Sequence, residues 1–158
     1  MVSKGKTADS MILDKFHTVT LFSTFLVVVA TVLIHYEGLH YFSNWITHNR
    51  FKPRFRIVIL IYGLLILHAL EILLFGLAFW ALSQNPGYGT LVTTVTPTLA
   101  DFVYFSSTVY STLGFGDLVP TGPVRFMAGL ESVTGLLLIT WSASFTYLEM
   151  VRYWRNDE

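Results

Sequence analysis

At 158 residues the chain has room for one domain, with 53 % hydrophobic residues and only 13 % charged ones. A soluble domain carries about 25 % charged residues, and the mean hydropathy here is +0.58, so a soluble globular protein is excluded in favour of one that lives in a bilayer. Ten acidic residues balance ten basic ones and there is no cysteine, which leaves no electrostatic footprint for nucleic acid and removes disulfides and thiolate metal sites.

In chain order, residues 1–16 are mixed polar, with Lys4, Lys6 and Lys15 against Asp9 and Asp14, and read as a loose N-terminal tail. The run Thr18 to Ile34 has no charge and is apolar on all sides. About 20 such residues cross a ~30 Å hydrocarbon layer as helix, which predicts a first spanning helix over 17–38. No small-residue cleavage site marks it as a signal peptide. Residues 39–56 form a basic linker with Arg50, Lys52, Arg54 and Arg56. Its piece HYFSNWITHN reads as lying flat at the interface, because Tyr41 and Trp45 suit the headgroup boundary.

A second apolar run predicts a spanning helix over 57–82. The uncharged, Thr-, Gly- and Pro-rich stretch from Ser83 to Ala100 reads as loop, and its Gly87-Tyr88-Gly89, directly after Asn85-Pro86, as a turn. Thr98-Leu99-Ala100-Asp101, beside Pro97, has the form of a capping box and predicts a helix over 98–110. Three turns are too few to span. Such a helix would be re-entrant, which is tolerated only inside protein or beside water. Thr112-Leu113-Gly114-Phe115-Gly116-Asp117 follows, then a third spanning helix over 123–150 whose apolar body is interrupted by Glu131 and a few small polar residues, and a short tail over 151–158.

Basic residues orient the spans. The first connection holds four, and the C-terminal tail adds Arg152 and Arg155, against three N-terminal lysines. The positive-inside rule then puts the linker and C-terminus in the cytoplasm, and the N-terminus and the 83–123 region outside the cell membrane.

The stretch Asp101 to Asp117, DFVYFSSTVYSTLGFGD, resembles the pore loop of the potassium-channel superfamily, whose filter usually reads T-V-G-Y-G-D. The resemblance covers roughly residues 57–150, and with the extra first helix it is similar to a three-helix bacterial channel type. It implies an all-α membrane protein: three transmembrane helices, a re-entrant pore helix and a selectivity-filter loop. One loop per chain cannot enclose an ion, so it also implies a homotetramer with cyclic symmetry. The permeant ion would be K+, with no cofactor and no metal other than K+. On the same resemblance Thr112, Leu113, Gly114, Phe115 and Gly116 form the ion-binding filter, with stacked carbonyl rings that glycine makes possible.

Tyr104, Thr108 and Asp117 would support that filter. Thr108 stands where some bacterial members have a glutamate bracing the filter aspartate. That acid is absent, so Asp117 needs another partner, for which the Tyr104 hydroxyl is the candidate. Leu113 for Val and Phe115 for Tyr leave the oxygen ligands unchanged, which favours potassium selectivity over a non-selective monovalent cation channel. Gly135 falls near where family inner helices bend; it reads either as a hinge or as a close-packing glycine. Leu136, Ile139 and Ala143 are candidates for the cavity lining.

Among the ionisable residues within spans, three need weighing: His68 and Glu71, at i and i+3 on one face, and Glu131. An acid at mid-membrane costs ~2.5–3.5 kcal/mol on insertion scales, so these side chains should face protein. Two readings stand: braces against Ser or Thr groups such as Ser106 or Ser107, or pH sensors coupled to the filter. A zinc site from His35, Glu37 and His40 is disfavoured, since such residues are ordinary at a membrane edge. A proton-coupled transporter would show inverted repeats that are not seen, and a non-conducting accessory subunit would tolerate loss of Gly114. No nucleophile–base set, metal motif or phosphate loop points to an enzyme.

Overall fold

The computed structural model describes residues 3–48 and 53–154. They form helices α1 (Ser3–His48), α2 (Pro53–Ser83), α3 (Leu99–Tyr110) and α4 (Val124–Trp154), with two short strands, β1 (Leu91–Val92) and β2 (Val119–Pro120). Three stretches are long and apolar enough to cross a membrane: Asp14–Trp45, Phe55–Ser83 and Val124–Arg152. This is a nearly all-helical membrane protein.

The helix bounds follow proline. None occurs before Pro53, so the helix that the apolar run of α1 starts is free to propagate in both directions. Two expectations are thereby corrected. The stretch read as a loose tail over 1–16 is helical from Ser3 onward, and the piece read as lying flat continues α1 to His48. Pro53 opens α2, Pro97 precedes the Thr98 cap of α3, and Pro123 precedes α4. Of the basic linker, Arg50 and Lys52 lie outside the described residues, while Arg54 and Arg56 stand in the first turns of α2.

Helix α3 lies between α2 and α4. Phe75 and Phe79 of α2 meet Phe102, Phe105 and Tyr110 of α3 and Val124, Met127 and Ala128 of α4 in one buried cluster. A second cluster, Leu39 with Leu60, Leu64 and Leu67, holds α1 against α2 further along. Phe16 of α1 stacks edge-on against Tyr88, with ring centroids 4.9 Å apart. The N-terminal part of α1 therefore lies at the same end of the bundle as the 83–98 loop. Much of the outer face is uncovered and apolar, with Phe22, Phe25, Leu65, Ile66 and Leu137 all exposed, as a lipid-facing surface requires.

The loop read from sequence as a turn is one: Pro86–Tyr88 make a single 3-10 turn, with the Asn85 side chain accepting the Gly87 N–H at 3.1 Å. The β pairing was not legible in the sequence. β1 and β2 run antiparallel, Leu91 opposite Pro120, and Thr90 and Thr121 exchange hydrogen bonds beside them. The segment after Asp117 is thus tied back to the segment after α2.

Candidate ion-conduction site

The start of α3 is fixed by Asp101, whose carboxylate accepts the Thr98 backbone N–H at 2.6 Å and the Thr98 hydroxyl at 2.8 Å. These two bonds hold the Asp101 carboxyl below its ordinary aspartate range. The end of α3 is where the loop is hung. The Thr108 carbonyl accepts two backbone N–H groups, from Leu113 at 2.9 Å and Gly114 at 3.0 Å, and the Val109 carbonyl accepts that of Thr112 at 2.9 Å. Thr108 is itself buried, its hydroxyl returned to the Phe105 carbonyl. It supports the loop through its backbone.

From there the backbone alternates in hand. Thr112, Gly114 and Gly116 have φ of 59°, 54° and 79°, while Leu113 and Phe115 between them do not enter the positive-φ region. In an ordinary strand successive carbonyls point to opposite sides. A chain whose residues alternate between the two hands turns them toward a common edge. Glycine takes the left-handed region without penalty, whereas a residue with a Cβ pays about 1–2 kcal/mol there. Residues 112–117 are all exposed, including the large apolar side chains of Leu113 and Phe115.

Past the loop's last glycine the Tyr104 hydroxyl donates to Asp117 Oδ2 at 2.9 Å. This bond keeps the phenol protonated to higher pH than usual. Beside the loop lies an open groove of about 340 Å³, lined by Val109, Thr112, Gly114, Gly116, Leu118 and Ala128 among others.

Behind the loop sit the buried acids. Glu131 of α4 is fully buried and hydrogen-bonds the Ser106 hydroxyl, which also lies 2.8 Å from the Ile72 carbonyl. Ser107 takes no part; its hydroxyl donates to the Tyr104 carbonyl. Glu71 of α2, also fully buried, gathers His68 at 3.0 Å, His35 of α1 at 2.8 Å and the Tyr110 hydroxyl. The sequence set His35 beside Glu37 and His40, but those two are exposed, and His35 turns inward. Its involvement had a signal. Thr20, Thr24, Thr31 and His35 share one face of an otherwise apolar span, and in a membrane such a face turns toward protein. Tyr110 had no comparable mark.

Gly135 meets the end of α3. A Cβ there would stand 2.2 Å from the Tyr110 carbonyl oxygen. α4 continues unbroken through Gly135, and the glycine there admits the close approach of the Tyr110 carbonyl. Leu136, Ile139 and Ala143 follow it on exposed parts of α4.

No curated protein and no solved structure matches the chain. Residues 57–151, more than half of its length, match the family described as ion channel. The match takes in α2, α3, the 112–117 loop and nearly all of α4, and leaves α1 outside. The chain therefore belongs to the ion channel family and carries the pore module of the potassium-channel superfamily.

Proposed function

We propose that the chain is one subunit of a potassium-selective channel, four copies of which surround a common axis in the cell membrane. α3 is the re-entrant pore helix, residues 112–116 the filter, and α4 the inner helix. K+ is the permeant ion and no cofactor takes part. The N-terminus and the filter face outward, and the C-terminus faces the cytoplasm.

A bare cation in a low dielectric is prohibitively costly unless its hydration shell is replaced. Backbone carbonyls can replace it without titrating, provided several converge. The observation that carries the proposal is the alternation of hand over Thr112–Gly116, which would turn the carbonyls of Thr112, Leu113, Gly114 and Phe115 toward one common edge. The Thr112 hydroxyl closes the inner end of that edge. No acid interrupts the stretch, which favours selection by carbonyl rings. The C-terminal end of α3 carries partial negative charge, worth about 0.3–1 kcal/mol to a nearby cation in exposed settings. Leu136, Ile139 and Ala143 would line the cavity below with apolar walls.

Four copies are supported by what one copy leaves bare. Leu113 and Phe115 are exposed apolar side chains on a loop that also borders an open groove, and non-helical backbone does not survive facing lipid. A neighbouring subunit would cover both.

Potassium uptake into liposomes holding the purified protein is the test. Gly114→Ala adds a methyl with nothing of its own chain within 4 Å, so it acts through the positive φ at Gly114. A cost of about 1–2 kcal/mol at each of the positions in a ring predicts K+ uptake lowered by roughly tenfold or more. Uptake equal to wild type would sink the reading, and equal uptake of Na+ and K+ by wild type would replace selectivity with general cation conduction.

A further inference from the structure

Helix α1 lies outside the pore module, yet it reaches the module's centre. Its buried threonines do not do this: Thr20, Thr24 and Thr31 return their hydroxyls to carbonyls of α1 itself. His35 does. It is fully buried, with Nδ1 at 2.8 Å from Glu71 Oε1 and Nε2 at 3.4 Å from the Ser142 hydroxyl of α4, and its ring is 5.3 Å from that of Trp141.

His35, His68 and Glu71 present ligand atoms within 4.8 Å of one another, a spacing that a divalent transition metal could use. The distances argue against it. Ligands of one tetrahedral zinc stand roughly 3.3 Å apart at metal bonds of about 2.0–2.1 Å, while His35 and His68 lie 2.8 and 3.0 Å from the Glu71 oxygens, at hydrogen-bond length. The protons also close on themselves. Tyr110 has one hydroxyl proton and directs it to Glu71 Oε2. His68 Nδ1, 2.9 Å from the same hydroxyl, therefore presents its own N–H, and so does His35 Nδ1. Three donors thus meet the two oxygens of one carboxylate, and neither imidazole Nδ1 aims a lone pair at a common centre.

We propose that His35 is a positioning residue for the conduction pathway: through Glu71 it holds Tyr110, and with it the end of α3 from which the filter is hung. This rests on the reading of residues 112–116 as a filter. Tyr110 is the last residue of α3, between Thr108 and Val109, whose carbonyls anchor the loop, and Thr112, where the loop begins. All three long helices converge on it. α2 supplies Glu71, α4 sets Gly135 against its carbonyl oxygen, and α1 supplies His35, the donor to Oε1 of the Glu71 carboxylate. Without that donor, Oε1 of Glu71 is left buried and unmet, and the carboxylate can turn to meet it only by disturbing the Tyr110 and His68 bonds to Oε2. The groups facing Glu71 from the packed elements are His35 from α1, His68 from its own helix and Tyr110 from α3. From α4, Ser142 faces the far side of His35.

The test uses full-length protein in liposomes, reading the Na+/K+ permeability ratio from reversal potentials. His35→Leu removes the donor, whereas His35→Asn sets an amide N–H near the place of Nδ1–H. His35→Leu is expected to raise the ratio by roughly three- to tenfold, as couplings within one hydrogen-bond network allow, and His35→Asn to restore it. Tyr110→Phe should raise it similarly, with no further rise when combined with His35→Leu. A merely structural role would lower thermal stability without moving the ratio. Histidine nitrogen NMR on wild type, independent of conduction, should show the Nδ1–H tautomer at His35.

A ratio unchanged in His35→Leu, a His35→Asn variant no better than His35→Leu, or one zinc per chain by elemental analysis would overturn the proposal while leaving the channel reading intact. A wild type that passes no ion removes the channel reading and this one together, whatever the NMR shows.

Discussion

Ser106 carries a burden out of proportion to its size. Its hydroxyl is set against both the Ile72 carbonyl and the buried Glu131, whose second oxygen has no hydrogen-bond partner among the described residues. Leaving a buried polar group unmet costs about 1–3 kcal/mol. Ser106→Ala is therefore expected to lower the thermal stability of the purified protein by about that much, and Ser106→Ala with Glu131→Leu to recover part of the loss. A single variant as stable as wild type in a thermal melt would show that Glu131 has another partner. Gly135 makes a similar demand through shape alone. Gly135→Ala puts a methyl 2.2 Å from backbone oxygen, which no side-chain rotation relieves. Overpacking of this kind costs about 1–3 kcal/mol, and the same melt should show it. A bending role would instead alter gating at unchanged stability.

At the scale of elements, the legible parts were those that repeat a simple physical demand. The three spans are written as long, predominantly apolar runs, and α3 as a capping box followed by too few residues to cross. The loop was legible because Gly114 and Gly116 stand where only glycine takes positive φ freely, although Thr112, which shares that conformation at φ 59°, gives no such sign. The ends of α1 were not legible, since polar residues are compatible with tail and helix alike, and only the absence of proline argues for continuation. The Glu71 cluster was half legible. His68 lies three residues from Glu71, but His35 and Tyr110 come from residues 36 and 39 positions away, and no local pattern specifies a meeting of that range. The β1–β2 tie is likewise set by where the loop closes and not by the propensity of four residues.

For the whole molecule, Phe16 against Tyr88 sets one end of α1 beside the 83–98 loop, so that three spans leave the end of α4 on the opposite side. The absence of cysteine makes this simple to check. Thr94→Cys should react with a membrane-impermeant maleimide added to intact cells, and Arg152→Cys only after permeabilisation; both positions are exposed. The reverse pattern would invert the orientation. Finally, the loop is fastened at both ends within its own chain, by the Thr108 carbonyl on one side and by the Thr90–Thr121 clasp on the other. Ordering entropy is one of the main costs of association, and here much of it falls on the fold of the single copy. Copies that meet would join finished edges, so the strength of their union would depend on surface fit and not on completing one another's shape.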